Sequence, residues 1–114
     1  MAFRYWRCNI VGAQRGELQG KTIAIKDNIP VAGVPMMCGS RTLEDYVPDY
    51  DATVVSRILD AGGRIIGKAV CEEFCFTATS STAATGHVVN PHDQTRMALG
   101  SSSGSAALVS LVYN

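Results

Sequence analysis

An excess of charge of either sign is absent from this chain: Lys and Arg number 10, Asp and Glu number 10, and the formal net charge of its 114 residues is +0. No basic run breaks that balance, so the electrostatic footprint of a nucleic-acid-binding protein is missing. No apolar stretch approaches the ~20 residues that span a bilayer as a helix, so no membrane partner is expected. Residues 1–9 (MAFRYWRCN) carry no apolar centre of the kind that exports a chain, and a cytoplasmic protein is the expectation. Internal repeats and low-complexity linkers are lacking as well, apart from a Ser/Thr-rich loop. What remains, 46% hydrophobic and 18% charged residues, is the composition of one small globular domain.

Cysteine falls short of a disulfide-scaffold content, with 4 residues at positions 8, 38, 71 and 75. Without an export signal they are expected to be free thiols, because the cytosol keeps them reduced. Cys71 and Cys75, followed by His87 and His92, come near the spacing of a two-cysteine, two-histidine zinc finger. A finger needs both histidines on one helix. Val88 and Val89 lie between them and Pro91 beside them, and proline interrupts helical hydrogen bonding. Ordinary core cysteines and loop histidines are therefore expected, with no metal.

Regular structure is signalled in a clear order. Residues 1–17 form a mixed lead-in with room for one edge strand, and residues 18–114 form the domain proper. Residues 21–26, with Thr22, Ile23 and Ile25, predict a short strand. Residues 28–35 are broken by Pro30 and Pro35 and predict a loop. Asp51 is the expected N-cap of a helix whose apolar face is Val54, Val55, Ile58 and Leu59, and Gly62-Gly63 ends it. Residues 64–70 predict a second buried strand. Strand, helix, strand in this order indicates a parallel pair flanked by a helix, an α/β fold. A helical turn is expected over 72–76, loop over 77–86, a turn at 90–93, and a final helix from about Ser102. The chain ends at Leu111-Val112-Tyr113-Asn114 with no stop signal, and is expected to be truncated.

Two segments carry chemistry. Gly100-Ser101-Ser102-Ser103-Gly104 sets three hydroxyls between two glycines at the start of a helix, a place where N–H groups and hydroxyls face outward together. Lys26 ends an apolar strand. Burial there disfavours the ammonium form, and a neutral lysine can take a proton from a serine hydroxyl. Together they suggest nucleophilic catalysis without histidine, one serine relaying a proton and a second attacking. Each segment alone has a plainer reading: a surface lysine with its head in water, and a flexible Gly/Ser loop.

In combination the segments are more specific. Gly20-Lys21-Thr22-Ile23-Ala24-Ile25-Lys26-Asp27-Asn28, Asp51-Ala52-Thr53-Val54-Val55, Ala61-Gly62-Gly63, Ile66-Gly67-Lys68 and Gly100-Ser101-Ser102-Ser103-Gly104-Ser105-Ala106-Ala107 resemble the amidase signature family and occur in its order. Residues 31–37 and 67–72 look most like the bacterial and fungal amidases of nitrile metabolism. The resemblance implies the N-terminal portion of a mixed, largely parallel sheet with helices on both sides. It implies a Ser-Ser-Lys hydrolase of carboxylic amides, with Lys26 as catalytic base, Ser101 as bridging serine beside a cis peptide bond, and Ser102 as a neighbouring substrate-binding hydroxyl. The family's acyl-forming serine and oxyanion hole belong to a later motif that these residues do not include.

No metal or organic cofactor is implied, and a small-molecule amide is the implied substrate of a completed enzyme. The sequence departs from the family pattern at Leu99 and Ser103, where glycines are usual, and at His92, where an aromatic commonly follows the proline. By itself the chain is expected to be inactive. Two other classes stay open. A non-catalytic, amidase-like chain would act as an interaction protein and self-associate through exposed apolar surface. A phosphate-binding module would use the Gly/Ser loop before the helix, although the Gly-Lys-Ser/Thr ending of a P-loop is missing.

Overall fold

The computed structural model describes residues 7–112; the opening of the lead-in (1–6) and the last two residues (113–114) lie outside it. Strand β1 (Arg7–Val11) comes from the lead-in, followed by β2 (Thr22–Lys26), helix α1 (Thr53–Asp60) and β3 (Arg64–Ala69). A short hairpin, β4 (Val89–Asn90) and β5 (Asp93–Met97), precedes helix α2 (Ser103–Val112). Three strands form a mixed sheet in the order β1-β3-β2. β2 runs parallel to β3, with Ile23 opposite Ile65 and Lys26 opposite Ala69; β1 runs antiparallel along the other edge. The β2-α1-β3 unit is thus a parallel crossover, and α/β describes the architecture. Among the described residues no helix is long and apolar enough to cross a membrane.

Side-chain alternation along β2 sends Ile23 and Ile25 to the face where α1 lies. There Ile25, Val31, Val34, Val55 and Ile65 are buried together, with Ile58 and Leu59 packed against them. The helix contributes Val55, Ile58 and Leu59, an i, i+3, i+4 stripe. Val54 corrects the sequence reading: it is 46% exposed, on the other side of that stripe. The helix ends as expected. The Gly62 N–H donates to the Leu59 carbonyl and the Gly63 N–H to that of Ile58, with Gly62 at φ +91°, a conformation suited to glycine.

The N-terminus of α1 differs from expectation. Ala52, not Asp51, occupies the cap position and offers no side-chain bond. The Asp51 carboxylate instead accepts from the Ala32 N–H at 2.7 Å, and the Ala52 N–H donates to the Pro30 carbonyl. A side chain suited to capping is drawn off to fasten the 28–35 loop. A second, smaller core of Val70, Ala83, Val88, Ala98 and Ala107 lies under α2. The turn expected at 90–93 joins the hairpin β4–β5; its strands had no sequence signal, since β5 (DQTRM) is polar and nearly all exposed and shows no alternation.

Candidate active site

Lys26 is the last residue of β2, and the chain turns away immediately after it. The next residue, Asp27, is buried, and its Oδ1 lies 3.2 Å from the ammonium of the fully buried Lys68 on β3. Asp27 Oδ2 accepts the Met37 and Cys38 N–H groups, both at 3.1 Å, while Lys68 Nζ donates to the Ile29 carbonyl at 2.8 Å. A buried ion pair therefore ties the 28–38 loop under the sheet. The lysine that the fold buries is Lys68; Lys26 is only half-buried. A charged residue inside the apolar run 64–70 was the available signal for such a pair, because lysine is almost never fully buried unless paired.

The serine loop is held by the chain that continues beyond β3. The Gly104 N–H donates to the Val70 carbonyl, the Glu72 N–H to the Ser101 carbonyl, and the Gly100 N–H to the Ala78 carbonyl. The Gly100–Ser101 peptide is cis. A Cβ on Gly100 would stand 2.7 Å from Glu72 Cγ, so only glycine fits beside that side chain. Glu72 is fully buried, and its Oε2 accepts from Thr77 Oγ1 at 2.7 Å, Thr82 Oγ1 at 2.5 Å and the Thr82 N–H at 3.1 Å. Burial pushes this carboxyl up, but the hydrogen bonds from Thr82, Thr77 and nearby backbone outweigh it and hold the group below its ordinary range. Sequence reading placed Glu72 only in a helical turn; its burial depends on threonines further along the chain.

These anchors bring the three predicted site residues together. Lys26 Nζ donates to Ser101 Oγ at 2.8 Å and to Ser102 Oγ at 2.8 Å, across 75 and 76 positions of sequence. Ser101 is half-buried and Ser102 nearer to solvent. Ser103, the third hydroxyl, points the other way: it is 1% exposed in the first turn of α2, and its Oγ has no hydrogen-bond partner among the described residues. Leu99, at a position where glycine is usual, has no left-handed backbone and is 76% exposed. His92 reaches α2, where its Nε2 meets Ser110 Oγ at 2.5 Å. It does not join Cys71 and Cys75; the third residue whose ligand atom lies beside those two sulfurs is Cys38.

A family model described as "Amidase" matches residues 2–112. The chain belongs to the amidase signature family. Among members of the family, an enantioselective amidase of Rhodococcus rhodochrous is 57% identical over 96 residues, 82% of this chain and 19% of the relative. A glutamyl-tRNA(Gln) amidotransferase subunit from Haloarcula marismortui is 55% identical over 100 residues, 88% of this chain and 24% of the relative. The crystal structure of the same amidotransferase subunit from Thermotoga maritima superposes with a TM-score of 0.87 at 41% identity, covering 96% of this chain and 24% of that one. This amidase signature chain thus spans about a fifth to a quarter of the length of these relatives.

Proposed function

We propose that these residues supply the proton-handling half of a Ser-Ser-Lys amide hydrolase. The observation that carries this reading is the contact of one Lys26 amine with both Ser101 and Ser102 hydroxyls at 2.8 Å. At that distance an unprotonated amine can equally accept the Ser101 proton. Ser101 would then draw a proton from the attacking serine, which would bond to the amide carbon. On collapse of the tetrahedral intermediate the C–N bond breaks, and the proton returns through Ser101 to the departing ammonia or amine. Water repeats the sequence to release the acid. Ser102, the more accessible hydroxyl, would bind substrate.

The family resemblance assigns the attacking serine and its oxyanion hole to a later motif, so on this reading the 114-residue chain alone should turn over no amide and resist labelling by fluorophosphonates. Free thiols suit work in a reducing cytosol. The test grafts residues 1–112 in place of the matching segment of the Rhodococcus amidase. The chimera should hydrolyse simple amides, and Lys26→Ala or Ser101→Ala should abolish turnover with the thermal unfolding midpoint retained. Turnover by the isolated chain, or turnover by the chimera that survives Lys26→Ala, would overturn the reading.

The match to the amidotransferase relatives supports a second reading, in which the completed protein delivers ammonia to an acceptor as part of an amidotransferase. Better retention of the host's activity when the same residues are grafted into the Haloarcula amidotransferase subunit than into the Rhodococcus amidase would favour it over a free-standing amidase.

A further inference from the structure

Outside the Lys26–Ser101–Ser102 constellation, one cluster of reactive side chains has no part in the mechanism. The sulfurs of Cys38, Cys71 and Cys75 all lie within 4.8 Å of one another. They come from two segments far apart in sequence, joined where the Phe74 N–H donates to the Cys38 carbonyl at 2.9 Å. Within the second segment the Cys75 N–H donates to the Glu72 carbonyl at 2.9 Å, a tight turn that brings Cys75 back toward Cys71. At Gly39 a Cβ would meet the Cys71 carbonyl oxygen at 2.5 Å, so the two segments touch backbone to backbone. From below, the Asp27 carboxylate holds the Cys38 N–H. Cys71 is fully buried, Cys38 7% exposed and Cys75 half-buried, which leaves a way in from solvent on the Cys75 side.

We propose that Cys38, Cys71 and Cys75 form a three-sulfur binding site for a soft monovalent ion, copper(I). Thiolate donors select soft ions such as copper(I) and zinc over hard ones. At the metal–thiolate distance of about 2.3 Å known for zinc, three sulfurs around an ion in one plane stand about 4 Å apart, inside the 4.8 Å within which these three sulfurs lie. Coordination number then separates the two ions. Structural zinc takes four protein ligands, and among the described residues no histidine, carboxylate or fourth cysteine belongs to this cluster. Both oxygens of the nearby Asp27 are already engaged, by Lys68 and by the Met37 and Cys38 amides. Three sulfurs with no fourth protein donor among the described residues suit an ion content with trigonal coordination. On binding, each coordinating thiol gives its proton to solvent and its sulfur lone pair to the ion. No oxidation of either partner is involved.

The test is an oxygen-free titration of the 114-residue chain with copper(I) against a chromophoric copper(I) chelator, followed by X-ray absorption spectroscopy of the loaded chain. One ion should bind per chain, with three sulfur scatterers and no nitrogen or oxygen neighbour. Affinity should fall by more than about tenfold in Cys71→Ser and in Cys75→Ser and stay unchanged in Cys8→Ser. The wild-type spectrum stands independently of whether those variants fold. Failure to compete with the chelator, light-atom scatterers, retained affinity in Cys75→Ser, or stronger retention of zinc than of copper(I) would each overturn the assignment. None of these outcomes bears on amide hydrolysis, so the two proposals fail separately.

Discussion

The two halves of the molecule are held together by different means. In the β2-α1-β3 unit, Ile25, Val31, Val34, Val55 and Ile65 form a core of branched aliphatic side chains, each worth roughly 1.5–3 kcal/mol when fully buried. In the half that carries the serines, three of the five core residues are alanines, Ala83, Ala98 and Ala107. Leu99, Val109, Leu111 and Val112 there remain exposed. What fixes the serine loop is polar instead: the buried Glu72 with Thr77 and Thr82, and the backbone bonds to Val70, Glu72 and Ala78. Aliphatic packing thus presents the lysine, whereas directional bonds aim the hydroxyls. A hydroxyl needs a set orientation, and apolar contact is non-directional.

That contrast can be broken most severely at the ion pair beneath the lysine. Lys68→Met leaves the Asp27 carboxylate buried without its countercharge, and urea unfolding should report a loss of about 3–5 kcal/mol. A loss under about 1 kcal/mol, the range of exposed pairs, would show that water reaches the site. Next in size is the aliphatic core. Ile65→Ala should destabilise by about 2–5 kcal/mol, and Val88→Ala in the alanine-rich core by less, about 1–2 kcal/mol. Equal losses would remove the distinction between the halves. Gly100→Ala drives a Cβ into Glu72 and should remove about 1–3 kcal/mol. In the chimera it should also lower kcat more than it lowers the unfolding midpoint, since the displaced loop carries Ser101.

The smallest effect near neutral pH concerns Glu72. Its folded pKa lies below the ordinary value, so the unfolded chain takes up the proton first as pH falls. The stabilisation is full above the unfolded pKa of about 4.3 and is lost as pH drops through the folded value. Glu72→Gln should flatten the acid limb of a stability-versus-pH curve. An unchanged limb would place the acid sensitivity elsewhere.

Much of the aliphatic half was legible in the sequence, because its signals are local. Ile23 and Ile25 alternate, Val55, Ile58 and Leu59 recur at helical spacing, and Gly62-Gly63 closes the turn. The candidate site residues Lys26, Ser101 and Ser102 stood out as motif members, although no local rule brings them together. The buried polar anchors of both halves were not readable in the same way. Burial of Asp27 and Glu72 is decided by Lys68, Thr77 and Thr82, partners that no periodicity reveals. Asp51 has the right chemistry for a cap and was misassigned because the Ala32 amide, a long-range partner, competes for its carboxylate. The Cys38–Cys71–Cys75 cluster escaped for the same reason, since the spacing of Cys71 and Cys75 directs attention to the downstream histidines.

The 75 positions between Lys26 and Ser101 lead to an expected order of assembly, which hydrogen-exchange labelling during refolding would check. Closing a longer loop carries a larger entropy cost, and contacts of large sequence separation are made slowly. β2, α1 and β3 can zip up over a shorter span, driven by their own aliphatic core, before the serine loop arrives. During that interval the lysine has no hydroxyl partner. The Lys26–Ser101 contact would then form only when the second half docks, which makes it a reporter of completed folding.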